Sequence, residues 1–129
     1  MEQARILVVD DERDYNETIV KRLRRRGYEA ETALSGPEAL ELLGHKSFDV
    51  ALLDIMMPGM DGIEVLRELK KRAPEVEVIL LTGHASVESG VLGMSIGANS
   101  YLLKPVDFDE LLATIGQAYE RKRLSGGGA

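Results

Sequence analysis

The stretch LDIMMPGMDG, which runs from Leu53 to Gly62, decides the fold of this chain. It follows the apolar residues VAL, so that a buried strand ends at the carboxylate of Asp54. Pro58 and two glycines come directly afterwards, and this spacing indicates a tight, stiff loop rather than a continued strand. What an acid in this position means depends on which residues end the other strands.

The composition is that of a soluble globular domain. The chain has 129 residues, of which 44% are hydrophobic and 29% are charged, and this length suits one domain with its own core. No apolar run could span a bilayer. The acid at Glu2 argues against a signal peptide, so we expect a cytoplasmic protein without membrane contact. The absence of cysteine excludes disulfides and thiolate metal sites, and the net charge of −6 argues against direct nucleic-acid binding.

Short apolar runs alternate with longer helical patterns along the chain. This alternation predicts an α/β domain with a doubly wound parallel sheet, five strands and five helices. Unbroken apolar runs such as RILVV predict strands that are buried on both faces. The predicted strands are RILVV at 5–9, YEAETA at 28–33 as an edge strand, the run that ends at Asp54, VEVILL at 76–81 and YLL at 101–103.

The helical patterns are amphipathic and carry their own start signals. Ser35 with Glu38, and Asp107 with Glu110, have the spacing of capping boxes. The fourth helix, about 86–98, contains two glycines, Gly90 and Gly93, which weaken it. On a helical wheel its core face is predicted to be Val87, Val91, Met94 and Ala98, with Leu92 and Ile96 on the opposite, solvent-facing side.

Polar residues end four of the five predicted strands: Asp10, Asp11, Asp54, Thr82 and Lys104. Ligands of open parallel sheets bind at the carboxyl ends of the strands, so these side chains should converge. Carboxylates a few ångströms apart repel by roughly 4 kcal/mol per pair at an effective dielectric constant near 20. Mg²⁺ is the natural cation for such an oxygen-rich set, and it would suit a phosphoryl group beside Lys104. Asp54 is the best nucleophile, and it would form an aspartyl-phosphate.

Four motifs resemble the receiver domain of two-component response regulators: VVDD at 8–11, LLDIMMPGMDG at 52–62, LLTG at 80–83 and YLLKP at 101–105. The resemblance covers about residues 5–123. It implies a flavodoxin-like, three-layer (βα)5 sandwich with strand order 2-1-3-4-5 and a cis Lys104–Pro105 bond.

The resemblance also assigns roles to the site residues. Asp54 would accept a phosphoryl group, and Thr82 and Lys104 would hold its oxygens. Asp11 would bind Mg²⁺ directly and Asp10 through water, with the backbone carbonyl of Met56 completing the protein ligands. Tyr101 would be the aromatic residue that changes rotamer when Thr82 moves. From the residues themselves, because the fourth helix is weakened by its two glycines, we predict that phosphorylation repositions it, and that Leu92, Ile96 and Tyr101 mark the surface that a partner reads, on the face formed by the fourth helix, the fifth strand and the fifth helix.

The expected partners are a sensor histidine kinase or a phosphotransfer protein, and a second copy of the chain after phosphorylation. The domain would phosphorylate and dephosphorylate itself and would control an output domain or partner, without turnover of an external substrate. We expect it to span residues 1–124, followed by a glycine-rich tail at 125–129 that is a linker or a remnant of cloning.

Three other hypotheses fit the sequence less well. A haloacid-dehalogenase-type phosphatase needs a second acid two residues after the nucleophile, where this chain has Met56. A flavodoxin-like cofactor binder needs a phosphate loop after the first strand, where DDERD at 10–14 would repel the phosphate. A receiver-like scaffold that has lost phosphorylation would not need all five site residues.

Gly83 and Asn99–Ser100 depart from common receiver sequences and could alter how long the phosphate lasts.

Overall fold

The computed structural model describes residues 4–83 and 87–127, without the side chains of Val87 and of 125–127. Across these ranges strands and helices alternate strictly, as predicted. The elements are β1 Arg5–Val9, α1 Arg13–Arg25, β2 Glu29–Ala33, α2 Gly36–His45, β3 Val50–Asp54, α3 Gly62–Arg72, β4 Glu77–Thr82, α4 Val87–Ile96, β5 Ser100–Leu103 and α5 Phe108–Gly127.

Two predictions fall partly outside the described residues. The predicted start of the fourth helix, at about Ser86, lies there, and so does the core position given to the Val87 side chain. The division of the chain into 1–124 and a tail at 125–129 stays a prediction. None of the helices that the structure describes is long and apolar enough to cross a membrane.

The sheet has the predicted order β2-β1-β3-β4-β5, and every pair of neighbouring strands is parallel. The prediction of β2 as an edge strand is confirmed. Because the chain passes from β1 outward to β2 and then back across to β3, the topological switch point lies between β1 and β3. The polar residues that follow these two strands therefore lie next to each other.

Side chains from both faces of the sheet are buried, which explains the unbroken apolar runs. Alternate residues of each central strand point to opposite faces. One face packs against α2, α3 and α4, with Leu53 and Leu66 among its buried residues. The other face packs against α1 and α5, with Leu52 and Leu111 among them. The result is the expected three-layer sandwich.

Side chains cap the helices that follow the loops. The predicted caps are present at α2, where the Glu38 N–H donates to Ser35 Oγ (3.2 Å), and at α5, where the Glu110 N–H donates to Asp107 Oδ2 (3.3 Å). A complete capping box that the sequence analysis missed, Asp61 with Glu64, opens α3 directly after the loop that follows Asp54.

The predicted orientation of α4 is wrong. Val91 and Met94, assigned to the core face, are 64% and 46% exposed. Ile96, assigned to solvent, is partly buried and packs against the core. Ala98 is buried as predicted, and Leu92 is 41% exposed as predicted.

Glycine, not a large apolar residue, faces the sheet from α4. A Cβ atom at Gly90 would lie 2.9 Å from Cε2 of Tyr101, and one at Gly93 would clash with Cδ1 of Leu80. The two glycines therefore let the helix backbone lie close to β4 and β5. Val91, Leu92 and Met94 lie on other faces of the helix and are exposed, whereas Ile96 reaches the core.

We predict that Gly93→Ala lowers the free energy of unfolding by about 1–3 kcal/mol, because the added methyl group overpacks the contact with Leu80. Gly116→Ala is the matched control, because Gly116 lies in α5 and a Cβ there meets no atom within 4 Å. It should raise the free energy of unfolding by about 0.5–1 kcal/mol through helix propensity alone. Urea unfolding measures both values. A stabilised Gly93→Ala variant would contradict the close packing of α4.

Candidate functional site

The predicted polar residues meet at the carboxyl edge of the sheet. Asp10 follows β1, Asp54 and Thr82 are the last residues of β3 and β4, and all three are buried. Asp11 is exposed. Carboxylate oxygens of Asp10, Asp11 and Asp54 all lie within 4.8 Å of one another, so the structure brings together the three acids that the sequence analysis selected.

Lys104 supplies positive charge to this cluster from the residue after β5. Its ammonium donates a hydrogen bond to Asp10 Oδ2 and lies 3.9 Å from Asp54 Oδ2. Glu12 Oε1, which the sequence analysis did not select, is 3.8 Å away. The ammonium also lies 4.3 Å from the ring centroid of Tyr15. One cation thus sits among several anions, which leaves the site with an excess of negative charge.

Asn16, another residue that the sequence analysis missed, fixes the end of β1. Its side-chain amide donates to the carbonyl oxygens of Asp10 (2.8 Å) and Ala33 (3.2 Å), and the Asp10 N–H also donates to Ala33 (3.2 Å). The Glu12 N–H donates to Asp10 Oδ1 (3.0 Å). An asparagine on the buried face of an amphipathic helix was the only signal in the sequence. These bonds hold the Asp10 carboxylate toward Lys104.

The loop after β3 explains the proline and glycines of the opening stretch. Gly59, directly after Pro58, has φ +76°, which favours glycine. A Cβ atom at Gly62 would lie 2.7 Å from Cα of Ile55 and would clash with the backbone carbonyl of Asp54. The Gly62 N–H donates to the Ile55 carbonyl (2.9 Å). The loop therefore folds back onto the end of β3 and holds the backbone of Asp54.

Burial and charge change the acidity of the site. Burial, and then the charge of Asp10, raise the pKa of Asp54 from 3.8 to about 6, against the opposing effects of Lys104 and of the Met56 N–H, which lies 3.4 Å from Asp54 Oδ1. Burial lowers the pKa of Lys104, but the hydrogen bond and charge of Asp10 outweigh it, so the pKa is raised overall. Lys104 is therefore charged at neutral pH, and Asp54 is a carboxylate that a further cation would stabilise.

Tyr15 lies at the rim of the site as well as on the core face of α1. Its side chain is partly buried and packs against the α1/α5 core. Burial raises the pKa of its phenol. The hydroxyl oxygen is buried and has no hydrogen-bond partner among the residues that the structure describes.

Thr82 ends β4, the strand beside β3, and Tyr101 lies on β5, the strand beyond it. The Lys104 N–H donates to the Thr82 carbonyl (2.8 Å), so the backbones of the two phosphate-binding candidates are joined. Tyr101 pairs with Leu80 and lies against Gly90 of α4. The Lys104–Pro105 bond is cis, as the resemblance implied. The switch role of Thr82 and Tyr101 stays a prediction.

The geometry fits a metal ion. The donors are carboxylate oxygens, which are hard ligands of the kind that bind magnesium-like cations. Asp11 is exposed, so an ion could reach the cluster from solvent. Asp10, Asp11 and Asp54 are therefore residues that could hold a cation here.

Fold and site together define a doubly wound α/β domain with an acidic ligand site at its switch point. The family model for the response regulator receiver domain matches residues 6–116 of this chain. The chain therefore belongs to the receiver-domain family of two-component response regulators.

Relatives that are named as regulators are longer proteins than this chain. The chain is 43% identical over 124 residues to the transcriptional regulatory protein ZraR of Klebsiella oxytoca, covering 96% of this chain and 28% of the relative. It is 41% identical to the response regulator MprA of Mycobacterium ulcerans, covering 94% and 52%. The chain thus spans about a quarter to a half of the length of these relatives.

Solved structures of similar length share the whole fold. A receiver-domain protein of Methanospirillum hungatei superposes with a TM-score of 0.92 at 34% identity, covering 96% of this chain and 99% of that one. A receiver domain of Clostridium thermocellum gives a TM-score of 0.89 at 41% identity, with 94% and 98% covered. The similarity therefore extends over the whole described domain.

We predict that Asp54 makes metal-free protein less stable as the pH rises. Its folded-state pKa of about 6 is above the ordinary 3.8, so the folded protein binds this proton more tightly than the unfolded chain does. The resulting stabilisation is fully present below the ordinary pKa and is lost as the pH rises through the folded-state pKa.

The side chain introduced by Asp54→Asn cannot ionise, so this variant should not lose stability in this way as the pH rises. Between about pH 4 and pH 7, the free energy of unfolding of the Asn variant should rise relative to wild type by about 1–2 kcal/mol, after allowance for solvent screening. Chemical unfolding in a chelator across this range measures the difference. A difference that stays constant with pH would contradict the raised pKa of Asp54.

Proposed function

We propose that this domain receives a phosphoryl group on Asp54 from a histidine kinase or phosphotransfer protein and changes conformation in response. One observation carries the proposal: the buried Asp54 carboxylate lies within 4.8 Å of Asp10 and Asp11 oxygens and 3.9 Å from the Lys104 ammonium. An acid that only ended a strand or capped a helix would not require two further carboxylates and an ammonium group beside it. Membership of the receiver family supports the same assignment.

The reaction needs Asp54 to act as a nucleophile. One of its carboxylate oxygens forms a bond to phosphorus while the bond between phosphorus and the donor nitrogen of phosphohistidine breaks. Mg²⁺, held by Asp10, Asp11, Asp54 and the Met56 carbonyl, would neutralise the negative charge of the incoming phosphoryl oxygens. Burial of Asp54 excludes most water from the acceptor and strengthens its interactions with nearby charges.

Lys104 and Thr82 bind the oxygens of the transferred group. The Lys104 ammonium already lies between Asp10 and Asp54, so it needs only a small movement to contact a phosphoryl oxygen. A charge-assisted bond of this kind stabilises the product by about 1.5–3 kcal/mol. Thr82 ends the neighbouring strand and supplies a hydroxyl that can donate to another oxygen.

The domain acts as a signalling module rather than as an enzyme with an external substrate. The names of the longer relatives, a transcriptional regulatory protein and a response regulator, support an output domain or partner that the receiver controls. We place this function in the cytoplasm, where the kinase domains that would donate the phosphoryl group act.

The exposed face of α4 and the end of β5 are where we propose that the signal leaves. Leu92 is exposed as predicted, and three further apolar residues are exposed on these two elements: Val91 and Met94 on α4, and Leu103 on β5. Ile96 and Tyr101 lie behind it, packed against the core. Exposed apolar residues grouped on two neighbouring elements favour a contact with another protein.

We predict that the purified protein labels itself from acetyl phosphate only when Mg²⁺ is present, and that Asp54→Asn abolishes labelling. Intact-mass spectrometry would show a single phosphoryl adduct on wild type. The matched control is Asp109→Asn, which replaces an exposed carboxylate in the first turn of α5 and should leave labelling intact.

Three outcomes would contradict the proposal. They are an adduct of equal yield on the Asp54→Asn variant, labelling that persists in excess chelator, and a wild-type protein that no small phosphodonor labels. The last result would instead favour a scaffold that has lost phosphorylation.

A second prediction concerns the surface of α4. Beryllofluoride, a stand-in for the phosphoryl group, should change hydrogen exchange in residues 87–101 and promote self-association, and Leu92→Ser should weaken that association. Leu124→Ser is the control, because Leu124 is an exposed leucine on α5. Sedimentation velocity measures the association. Exchange that beryllofluoride leaves unchanged would refute the switch, and equal association of the Leu92→Ser variant would refute the surface.

A further inference from the structure

Tyr15 joins two elements across the edge of the site. It belongs to the first turn of α1, whereas Lys104 follows β5 at the other side of the sheet. The Lys104 ammonium lies 4.3 Å from the centroid of the Tyr15 ring, within the range of a cation–π contact. Tyr15 is packed against the α1/α5 core, and this packing holds its ring in place beside the ammonium.

The other neighbours of the Lys104 ammonium are carboxylates. Asp10 accepts its hydrogen bond, Glu12 Oε1 lies 3.8 Å away and Asp54 Oδ2 lies 3.9 Å away. A cation bound by the acidic cluster draws on the oxygens of Asp10, directly or through a bound water, and so competes with Lys104 for them. An aromatic ring has no oxygen donor on its face, so the contact with Tyr15 survives that competition.

We propose that Tyr15 is a positioning residue that keeps the Lys104 ammonium beside Asp54 when a metal ion takes Asp10. The proposal rests on the proposed function, since it assigns to Tyr15 the placement of the lysine that binds the phosphoryl group. Lys104 carries a flexible four-carbon side chain, which would otherwise sample solvent once its bond to Asp10 is lost. The ring limits the ammonium to the side of the site where the phosphoryl group forms.

The aromatic face, and not the hydroxyl, carries this role. The Tyr15 hydroxyl has no hydrogen-bond partner among the described residues, so Tyr15→Phe leaves no described donor or acceptor unpaired. Tyr15→Leu removes the ring and keeps an apolar side chain of intermediate size. The pair of variants therefore separates the ring from the hydroxyl and from burial.

The first measurement uses the metal-free protein and does not depend on phosphorylation. The ring current of Tyr15 should shift the ε-methylene proton resonances of Lys104 upfield in wild type and in Tyr15→Phe. The shift should be absent in Tyr15→Leu. Equal Lys104 resonances in wild type and in Tyr15→Leu would overturn the contact itself.

The second measurement compares two affinities. Tyr15→Leu should weaken beryllofluoride binding in saturating Mg²⁺ by roughly 2- to 20-fold, the range that a cation–π contact implies. Its affinity for Mg²⁺ alone should be unchanged, and Tyr15→Phe should restore wild-type beryllofluoride affinity. Tyr28→Leu is the matched control, because Tyr28 packs against the same core from the start of β2. A similar loss in Tyr28→Leu would make the effect one of general stability and would overturn the proposal.

A double-mutant cycle with Lys104→Ala tests whether Tyr15 acts through Lys104. If Tyr15 acts through Lys104, Tyr15→Leu has no further effect on beryllofluoride affinity in the Lys104→Ala background. An undiminished effect there would overturn the positioning role.

If wild type binds beryllofluoride and Tyr15→Leu binds it equally well, the positioning role fails and the proposed function stands. If wild type does not bind beryllofluoride, the proposed function fails and the positioning role fails with it, whatever the Lys104 resonances show of the contact.

Discussion

The electrostatic balance at the end of β3 is the constraint on which the rest of this structure depends. Oxygens of three carboxylates lie within 4.8 Å of one another, and the partly buried ammonium of Lys104 offsets only part of their charge. Taking each ion out of water costs several kcal/mol, so the two apolar layers on the sheet must supply the compensating stability. The excess negative charge also makes the site responsive, because an added cation relieves repulsion that the folded protein otherwise bears.

The sequence predicted the residues that depend on the topology of the sheet. Five alternating units oblige the strands to run parallel, and parallel strands bring their carboxyl ends to one edge. Asp10, Asp54, Thr82 and Lys104 could therefore be selected without coordinates, from their places directly at or after apolar runs. The loop around Pro58 could also be predicted, for a different reason: its turn residues are local signals, and tertiary contacts did not override them.

The residues that the sequence analysis missed depend on how the helices dock. Glu12 and Asn16 contact the site only because α1 lies close to the ends of β1 and β2, and a helical pattern does not encode that distance. The orientation of α4 failed for a related reason. A helical wheel weighs side chains by hydrophobicity, whereas Gly90 and Gly93 contribute to packing through the side chains that they lack. Close approach of a backbone is visible only when its neighbours, here Tyr101 and Leu80, are in place.

The arrangement of α4 has an energetic consequence for signalling. Because Val91, Leu92 and Met94 face outward, their burial is still available to a contact with another protein. These side chains are 41–64% exposed, so completing their burial would stabilise a complex by roughly 0.6–2 kcal/mol each, and the three together supply a large part of the roughly 5.5 kcal/mol that converts a 1:99 equilibrium into 99:1. A partner that bound only the orientation of α4 that the phosphoryl group favours would thus bias the domain toward that orientation. Since such coupling is reciprocal, the same partner would raise the affinity of the site for the phosphoryl group or its stand-in.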